Sequence, residues 1–295
     1  MLTVVVPIRN RSHDLNNCLR SIDAAAKHSG LAIEVLVVDD RSSEDLSTVV
    51  DQYADAMLLT SPGVGPGAAR KHGFKQARAD VVCFVDSDCE VAPDWLSAIR
   101  NLFSDQDVIA LQGNPCLFMK RQNERLGSCE EILYTRLFET YIHGETCRQI
   151  DTRNCVFRKS ALIQHINELF VTSMKAAQAE ARVCGNAMAE LGILINYSPD
   201  VRVFHKDPPS LLASIRQKFR HGSGRVHVWP RLPKLTYILS RYFALPILRW
   251  GVPFWYVIPV HSAFLAGYLF SRAKSARPKT VFQSTSKEVS GYEDC

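Results

Sequence analysis

Residues 81–88 read VVCFVDSD, five apolar residues followed at once by Asp86, Ser87 and Asp88. A short, unbroken, β-branched and aromatic run predicts a strand buried on both faces. The same pattern occurs at Leu2 to Ile8 (LTVVVPI) and at Ala32 to Val38 (AIEVLVV), the latter ending in Asp39-Asp40. Helical periods lie between these runs. Leu15, Cys18, Leu19 and Ile22 mark a helix to about Lys27, capped by Ser12 or Asp14, and a second helix starts from Ser42 or Ser43. Ala56 to Leu59 is a short strand, Ser61 to Gly67 (SPGVGPG) a turn-rich loop, and Ala68 to Ala77 a further helix. Strand and helix in alternation require an α/β fold, a Rossmann-like, mostly parallel central sheet flanked by helices with right-handed crossovers. Ligands bind such sheets beyond the carboxyl ends of the strands, which is where Asp39, Asp40, Asp86 and Asp88 fall.

The bulk composition agrees. The chain has 295 residues, 46% hydrophobic and 22% charged, which is ordinary globular composition with room for one or two domains. Its nine cysteines are odd in number and contain no CxxC pair, so they spell neither a disulfide framework nor a zinc site, and they read as scattered thiols of a reducing compartment. Met1 to Ile8 is apolar, but it is too short for a signal sequence and Arg9 and Arg11 follow it rather than precede it. Net charge is +5 but unevenly spread: residues 206–279 carry 13 Lys or Arg against the single acid Asp207. Such a stretch meets nucleic acid or anionic lipid, and its apolar neighbours here favour lipid.

Two carboxylates flanking one residue on a turn can both reach one cation. Hard divalent ions such as Mg²⁺ or Mn²⁺ take carboxylate oxygens and keep positions open for phosphate. An Asp-x-Asp alone is weak, since surface turns often contain it; the strand before it and the second acidic strand end add weight.

With these motifs in place, the chain resembles the family 2 glycosyltransferases, which have the GT-A fold and use nucleotide-diphosphate sugars. The matching stretches are VVVPIRNRSHDLNNCLRSI (4–22), EVLVVDDRSSED (34–45), GPGAARKHGFKQARADVVCFVDSDCEVAPDWL (65–96) and IDTRNCVFRKSAL (150–162), with a weaker match from Glu180 through Gly192 to SPDVRVFH (198–205). The resemblance implies that Pro7 and Arg9 line a nucleotide pocket, that Asp39 accepts from the donor's base with Asp40 beside it, and that the loop Gly65 to Arg70, including Gly67, wraps base and ribose with Arg70 near the diphosphate. A carboxylate accepting from an imide N–H favours a UDP-sugar. Helix capping near Ser42 is the competing reading of Asp39 and Asp40. The resemblance further implies that Asp86 contacts ribose or metal, that Asp88 binds the metal, and that His205 completes its shell. A lone histidine at a strand end is otherwise structural. Asp151, Arg153 and Asn154 are implied contacts to the sugar or acceptor; otherwise they form a strand-to-helix turn.

Inverting transfer needs a carboxylate to take the acceptor hydroxyl's proton. The family supplies it from a Glu-Asp pair opening a helix about twelve residues before a glycine. Counting back from Gly192 gives Glu180, but Ala181 stands where the Asp is expected. Glu180 is thus the expected base, with Glu130, Glu131 or Glu168 as substitutes, and a weakly active or inactive donor-binding relative as the alternative function. A nucleotidyltransferase is disfavoured, because PIRNRSHD after the first strand holds no glycine to cradle phosphate.

Ser210 to Arg225 is a basic amphipathic helix, and Gly251 to Phe270 runs twenty residues without a formal charge, enough to cross ~30 Å of hydrocarbon. Pro253, Pro259, His261 and basic flanks on both sides argue for a peripheral segment or a hairpin on the cytoplasmic face rather than one pass. The expected organisation is a donor-binding half (1–115), an acceptor-binding half (116–209), a membrane-associating segment (210–279) and a polar tail (280–295). The expected partners are a nucleotide-diphosphate sugar, a glycan or lipid acceptor and a membrane surface, with no nucleic acid.

Overall fold

The computed structural model describes residues 1–170, 180–225 and 235–274. The tail at 280–295 lies outside the described residues. Strands β1 (Leu2–Ile8), β2 (Ile33–Asp39), β3 (Ala56–Thr60) and β4 (Val81–Val85) alternate with helices α1 (Ser12–Ser29), α2 (Ser47–Val50) and α3 (Pro66–Gln76). There follow β5 (Cys89–Val91), α4 (Trp95–Leu102), β6 (Ala110–Phe118), α5 (Glu124–Glu139), β7 (Ile142–His143), β8 (Thr146–Cys147) and β9 (Asn154–Arg158). Helices α6 (Lys159–Leu162), α7 (Ile166–Leu169) and α8 (Glu180–Glu190) lead to β10 (Ile195–His205). The C-terminal layer is α9 (Leu211–Arg225), α10 (Leu235–Leu239) and α11 (Phe254–Lys274), with a π-helical stretch at Ser240–Arg249.

Among the described residues, ten strands form one sheet in the order β3-β2-β1-β4-β9-β6-β10-β8-β7, with β5 on β10. The parallel character expected from the sequence belongs to β3, β2, β1 and β4; beyond β4 the sheet is mixed, because β9 enters antiparallel between β4 and β6. All seven residues of β1 are buried, since its pleat feeds two cores. Val4 and Val6 pack with α1 and α4 on one face, while Val5 joins Phe74 of α3 on the other. Each such valine is worth about 1.5–3 kcal/mol when withdrawn from water.

Two expected helix starts are corrected. Neither Ser12 nor Asp14 caps α1; the orphan N–H groups of Arg11 and Ser12 donate instead to the Glu44 carboxylate, at 3.1 and 2.9 Å. Ser42 and Ser43 start no helix. Ser42 donates its N–H and hydroxyl to Asp39, Ser43 does the same to Asn10, and only Ser47–Val50 turns helical. Such local side-chain bonds compete with helix formation.

The C-terminal layer packs on the sheet domain. Leu126, Cys129 and Leu133 of α5 share a core with Val252, Tyr256, Val257 and Val260. Helices α9 and α11 meet backbone to backbone: a methyl group on Gly222 would lie 1.8 Å from the Phe264 carbonyl oxygen, and one on Gly267 would lie 2.0 Å from that of Phe219. Helix α11 is long and apolar enough to cross a membrane, yet one face is buried in the protein, including Tyr256, Val260 and Tyr268, while Phe254, Trp255, Ile258, Leu269 and Phe270 point outward.

Candidate functional site

The carboxyl ends of β1, β2 and β4 converge on one edge. Three non-glycine residues there hold left-handed backbone, Asn10 (φ 60°), Arg11 (φ 66°) and Arg41 (φ 60°). Such conformations persist only where surrounding contacts enforce them. Here the loop after β1 is laced to the loop after β2 through Asn10, Ser42, Ser43 and Glu44. Pro7 is buried at the end of β1 and Arg9 is exposed beside it.

Asp39 accepts the Ser42 N–H and hydroxyl at Oδ1, a local turn contact and not a helix cap, since no helix starts at Ser42. Asp40 differs from the expectation of a pocket contact. It is buried, and both its oxygens accept the Gly65 N–H at 2.9 Å, which pins the glycine segment. That segment is also not the expected loop. From Pro66 it is helix α3, with Gly65 in a positive-φ conformation (99°) at its start, and Gly67 and Arg70 buried within it. Arg70 donates to Asp86 Oδ1 at 2.5 Å.

Beyond β4 the two carboxylates part company. Burial raises the Asp86 pKa above its ordinary value and the charge of Asp88 adds to this, with Arg70 pulling the other way. Burial also pushes Asp88 up, but His205, Arg11 and Arg153 outweigh it and leave Asp88 below the ordinary value. Arg11 Nη1 reaches Asp88 at 3.0 Å from a side chain 60% exposed. His205 arrives because β10 pairs antiparallel with β5, setting His205 opposite Cys89, and the Lys206 N–H donates to the Asp88 carbonyl. Its Nε2 stands 3.5 Å from Asp88 Oδ1. Asp88, Cys89 and His205 form a group of potential ligand atoms within 4.8 Å of one another; Asp86, turned to Arg70, stands outside it. His205 Nδ1 is buried with no hydrogen-bond partner among the described residues. Burial and the neighbouring acids push the Cys89 thiol well up, so sulfur stays protonated and the available donors are one carboxylate and one imidazole. That oxygen and nitrogen set suits a Mn²⁺ or Mg²⁺ ion with open positions.

Asp151 and Arg153 form a fork, Nε to Oδ1 at 2.9 Å and Nη2 to Oδ2 at 2.7 Å, close enough to the acids for Arg153 to act on Asp88. Asn154 is a correction. It is fully buried: its amide donates to the Asn114 and Val201 carbonyls and its oxygen accepts from Trp95 Nε1, which leaves nothing for an acceptor. Two of the three substitute bases are committed elsewhere. Glu130 is buried against Tyr256 and Lys218, and Glu131 accepts from the Phe118 N–H and from Lys120. Glu168 is exposed on α7. Glu180 is the first described residue of α8 and Gly192 follows that helix with φ 69°; the Glu180 side chain lies outside the described residues.

Sequence reasoning missed Arg11, Gln112 and Tyr134. Arg11 carried a signal, a second arginine directly after β1. Gln112 bridges the Asp151 N–H and the Asn154 carbonyl from within β6, and nothing in its sequence neighbourhood announces this. A cavity of about 220 Å³ beside Asp88 is lined by Asp14, Glu90, Arg121 and Lys206 among others.

Comparison with known proteins bears on this geometry. The family model described as Glycosyl transferase family 2 matches residues 3–166. Glycosyltransferase AglE of Haloferax volcanii is 21% identical over 83% of this chain and 79% of its own length. The undecaprenyl-phosphate 4-deoxy-4-formamido-L-arabinose transferase of Pseudomonas savastanoi pv. phaseolicola is 30% identical over 32% of this chain, and the match spans only 29% of that relative. Among solved structures, the mannosyltransferase PcManGT of Pyrobaculum calidifontis, in complex with GDP-Man and Mn²⁺, shares the fold at a TM-score of 0.53 and 18% identity, covering 92% of this chain and 75% of that one. TarS 1–349 of S. aureus follows at 0.50 and 17%, covering 92% and 91%. Both similarities concern the fold alone. The family match, by contrast, takes in more than half of the sequence, including Asp39, Asp40, Asp86 and Asp88, and by it the chain belongs to glycosyl transferase family 2.

Proposed function

We propose that the protein transfers a sugar from a nucleotide-diphosphate donor, a UDP-sugar by preference, to a glycan or lipid acceptor at a membrane surface, with inversion. The observation that carries the chemistry is the pairing of Asp88 with His205, whose Nδ1 is buried and without a partner among the described residues. Asp88 and His205 would hold Mg²⁺ or Mn²⁺, with Asp86 beside them; when bound, the ion offsets charge on the departing diphosphate. The chain's own residues do the rest. Asp39 offers its second oxygen to the imide N–H of the base, in a pocket closed by Pro7 and Arg9. Asp40 holds Gly65, and through it the start of α3, in place. Arg70 fixes Asp86 and adds positive charge next to the phosphates. Asp151 and Arg153 face the acceptor, and Glu180 of α8 takes the acceptor proton.

In this reading residues 1–115 serve the donor and 116–209 the acceptor, while 210–279 dock the enzyme on the cytoplasmic face of a membrane. The outward face of α11 (Phe254, Trp255, Ile258, Leu269, Phe270) is apolar, and every charged residue from 208 to 274 is basic. A helix with one face on the protein and one face apolar fits in-plane docking better than a span. The undecaprenyl-phosphate transferase relatives support a lipid phosphate as acceptor.

The test is release of nucleoside diphosphate by purified protein with Mn²⁺ across a panel of nucleotide sugars, followed by analysis of the product linkage. Donor binding with no turnover on any acceptor would instead favour a donor-binding relative that has lost catalysis through Ala181. Docking is tested by flotation with anionic vesicles: Trp255→Ser with Ile258→Ser should lose binding, and retained binding removes α11 as the contact.

A further inference from the structure

Helix α5 carries a tyrosine that stands between the site and the C-terminal layer. The Arg153 guanidinium lies over the Tyr134 ring, 4.6 Å from its centroid, and Lys218 Nζ from α9 lies over the same ring, also at 4.6 Å. Both cations are nearly buried, with side chains 11% exposed. Lys218 in turn donates to Glu130 at 3.0 Å, and Glu130 accepts from the Tyr256 hydroxyl of α11. Tyr134 also packs against Phe118 at 5.7 Å, and Phe118 meets the His205 ring edge-on at 5.5 Å. One aromatic side chain therefore touches Arg153 directly and His205 through a single intermediary.

We propose that Tyr134 is a positioning residue, whose ring holds the Arg153 guanidinium at the acceptor side of the site and is itself held by Lys218. The Asp151 fork fixes the direction of the guanidinium plane but uses only one edge of it. The Tyr134 ring, which the guanidinium carbon overlies, supplies the remaining restraint, because a desolvated cation is attracted to the π face. Lys218 keeps the ring from swinging away, and its own place is fixed by Glu130 and Tyr256. The acceptor side of the site is thereby tied to the helices that form the apolar outer face. This inference rests on the reading of Arg153 as an acceptor contact.

The test compares Tyr134→Phe, which keeps the ring, with Tyr134→Leu, which keeps bulk and loses the π face. Tyr134→Leu should lower acceptor kcat/KM about tenfold, with donor KM within about twofold of the parent and the metal titration unchanged, while Tyr134→Phe should restore the parent value. A second readout needs no activity: the Arg153 Nε–H resonance, assigned through Arg153→Lys, should lose its ring-current shift in Tyr134→Leu and keep it in Tyr134→Phe. An unmoved resonance overturns the stacking. A moved resonance with unchanged acceptor kinetics overturns the acceptor role of Arg153, and the function given to Tyr134 with it. Equal impairment of both variants also overturns the proposal, since the hydroxyl and not the ring would then be the active part.

Discussion

Two regions of this molecule bury charge, and they do so to opposite ends. At the tip of β4, Asp86 and Asp88 lie side by side, each leaning on a different arginine, and their pKa values are pushed in opposite directions. In the C-terminal layer, Glu130 is met by Lys218 and Tyr256 and has no outlet to solvent. The first arrangement leaves an imidazole nitrogen orphaned and an arginine mostly in water; the second is closed. Open electrostatics at strand ends invite a ligand, whereas a closed buried pair registers one element against another.

The comparison can be broken most sharply at Asp88. Asp88→Ala should cut metal-dependent turnover by about 10³-fold or more, roughly 4 kcal/mol of transition-state stabilisation, with little change in melting temperature; full activity would remove the cation from the mechanism. Glu130→Ala should do the reverse. It strands Lys218 in the interior and should cost about 3 kcal/mol in urea unfolding, and the double replacement Glu130→Leu with Lys218→Met should recover most of that. Next comes Asn154→Ala, which leaves the Trp95 indole N–H without its partner and should cost about 2 kcal/mol with acceptor KM unaltered. A raised KM would restore Asn154 to the site.

A smaller effect concerns acid. Burial favours the neutral form of Glu130, but Lys218 and Tyr256 prevail and hold its pKa below the ordinary 4.5. A depressed folded-state value means that the contribution is present in full above the unfolded pKa. It is lost as pH falls through the folded value, so unfolding free energy should drop below pH 4.5 in the parent and drop less in Glu130→Gln. Smallest is Arg11→Ala. Its pair with Asp88 is largely exposed and should be worth under about 1 kcal/mol of stability. Metal affinity should hold or improve once a competing cation is gone, as isothermal titration would show.

Much of the first region was legible in the sequence, because β1, β2 and β4 are runs whose composition admits one structure and whose ends are marked by acids. His205 was legible as a candidate, though its approach to Asp88 depends on the β5–β10 pairing, which joins distant segments. Other features were not readable. Ser42 looked like a helix cap until Asp39 was seen to take both its donors. Asn154 looked like a ligand contact because its three partners, Trp95, Asn114 and Val201, are scattered along the chain. The burial of one face of α11 against the protein was not readable either, because hydropathy cannot tell lipid from a neighbouring helix.

The close approach of α9 and α11 carries its own consequence. At Gly222 and Gly267 the two helices leave no space for even one carbon, since the opposing atoms are rigid carbonyls that cannot rotate away. Replacing either residue with alanine would pry the pair apart along its whole length, loosening Tyr256 from Glu130 far from the altered position. In a saturation mutagenesis scan these two sites, remote from every strand end, should tolerate as little change as the acids.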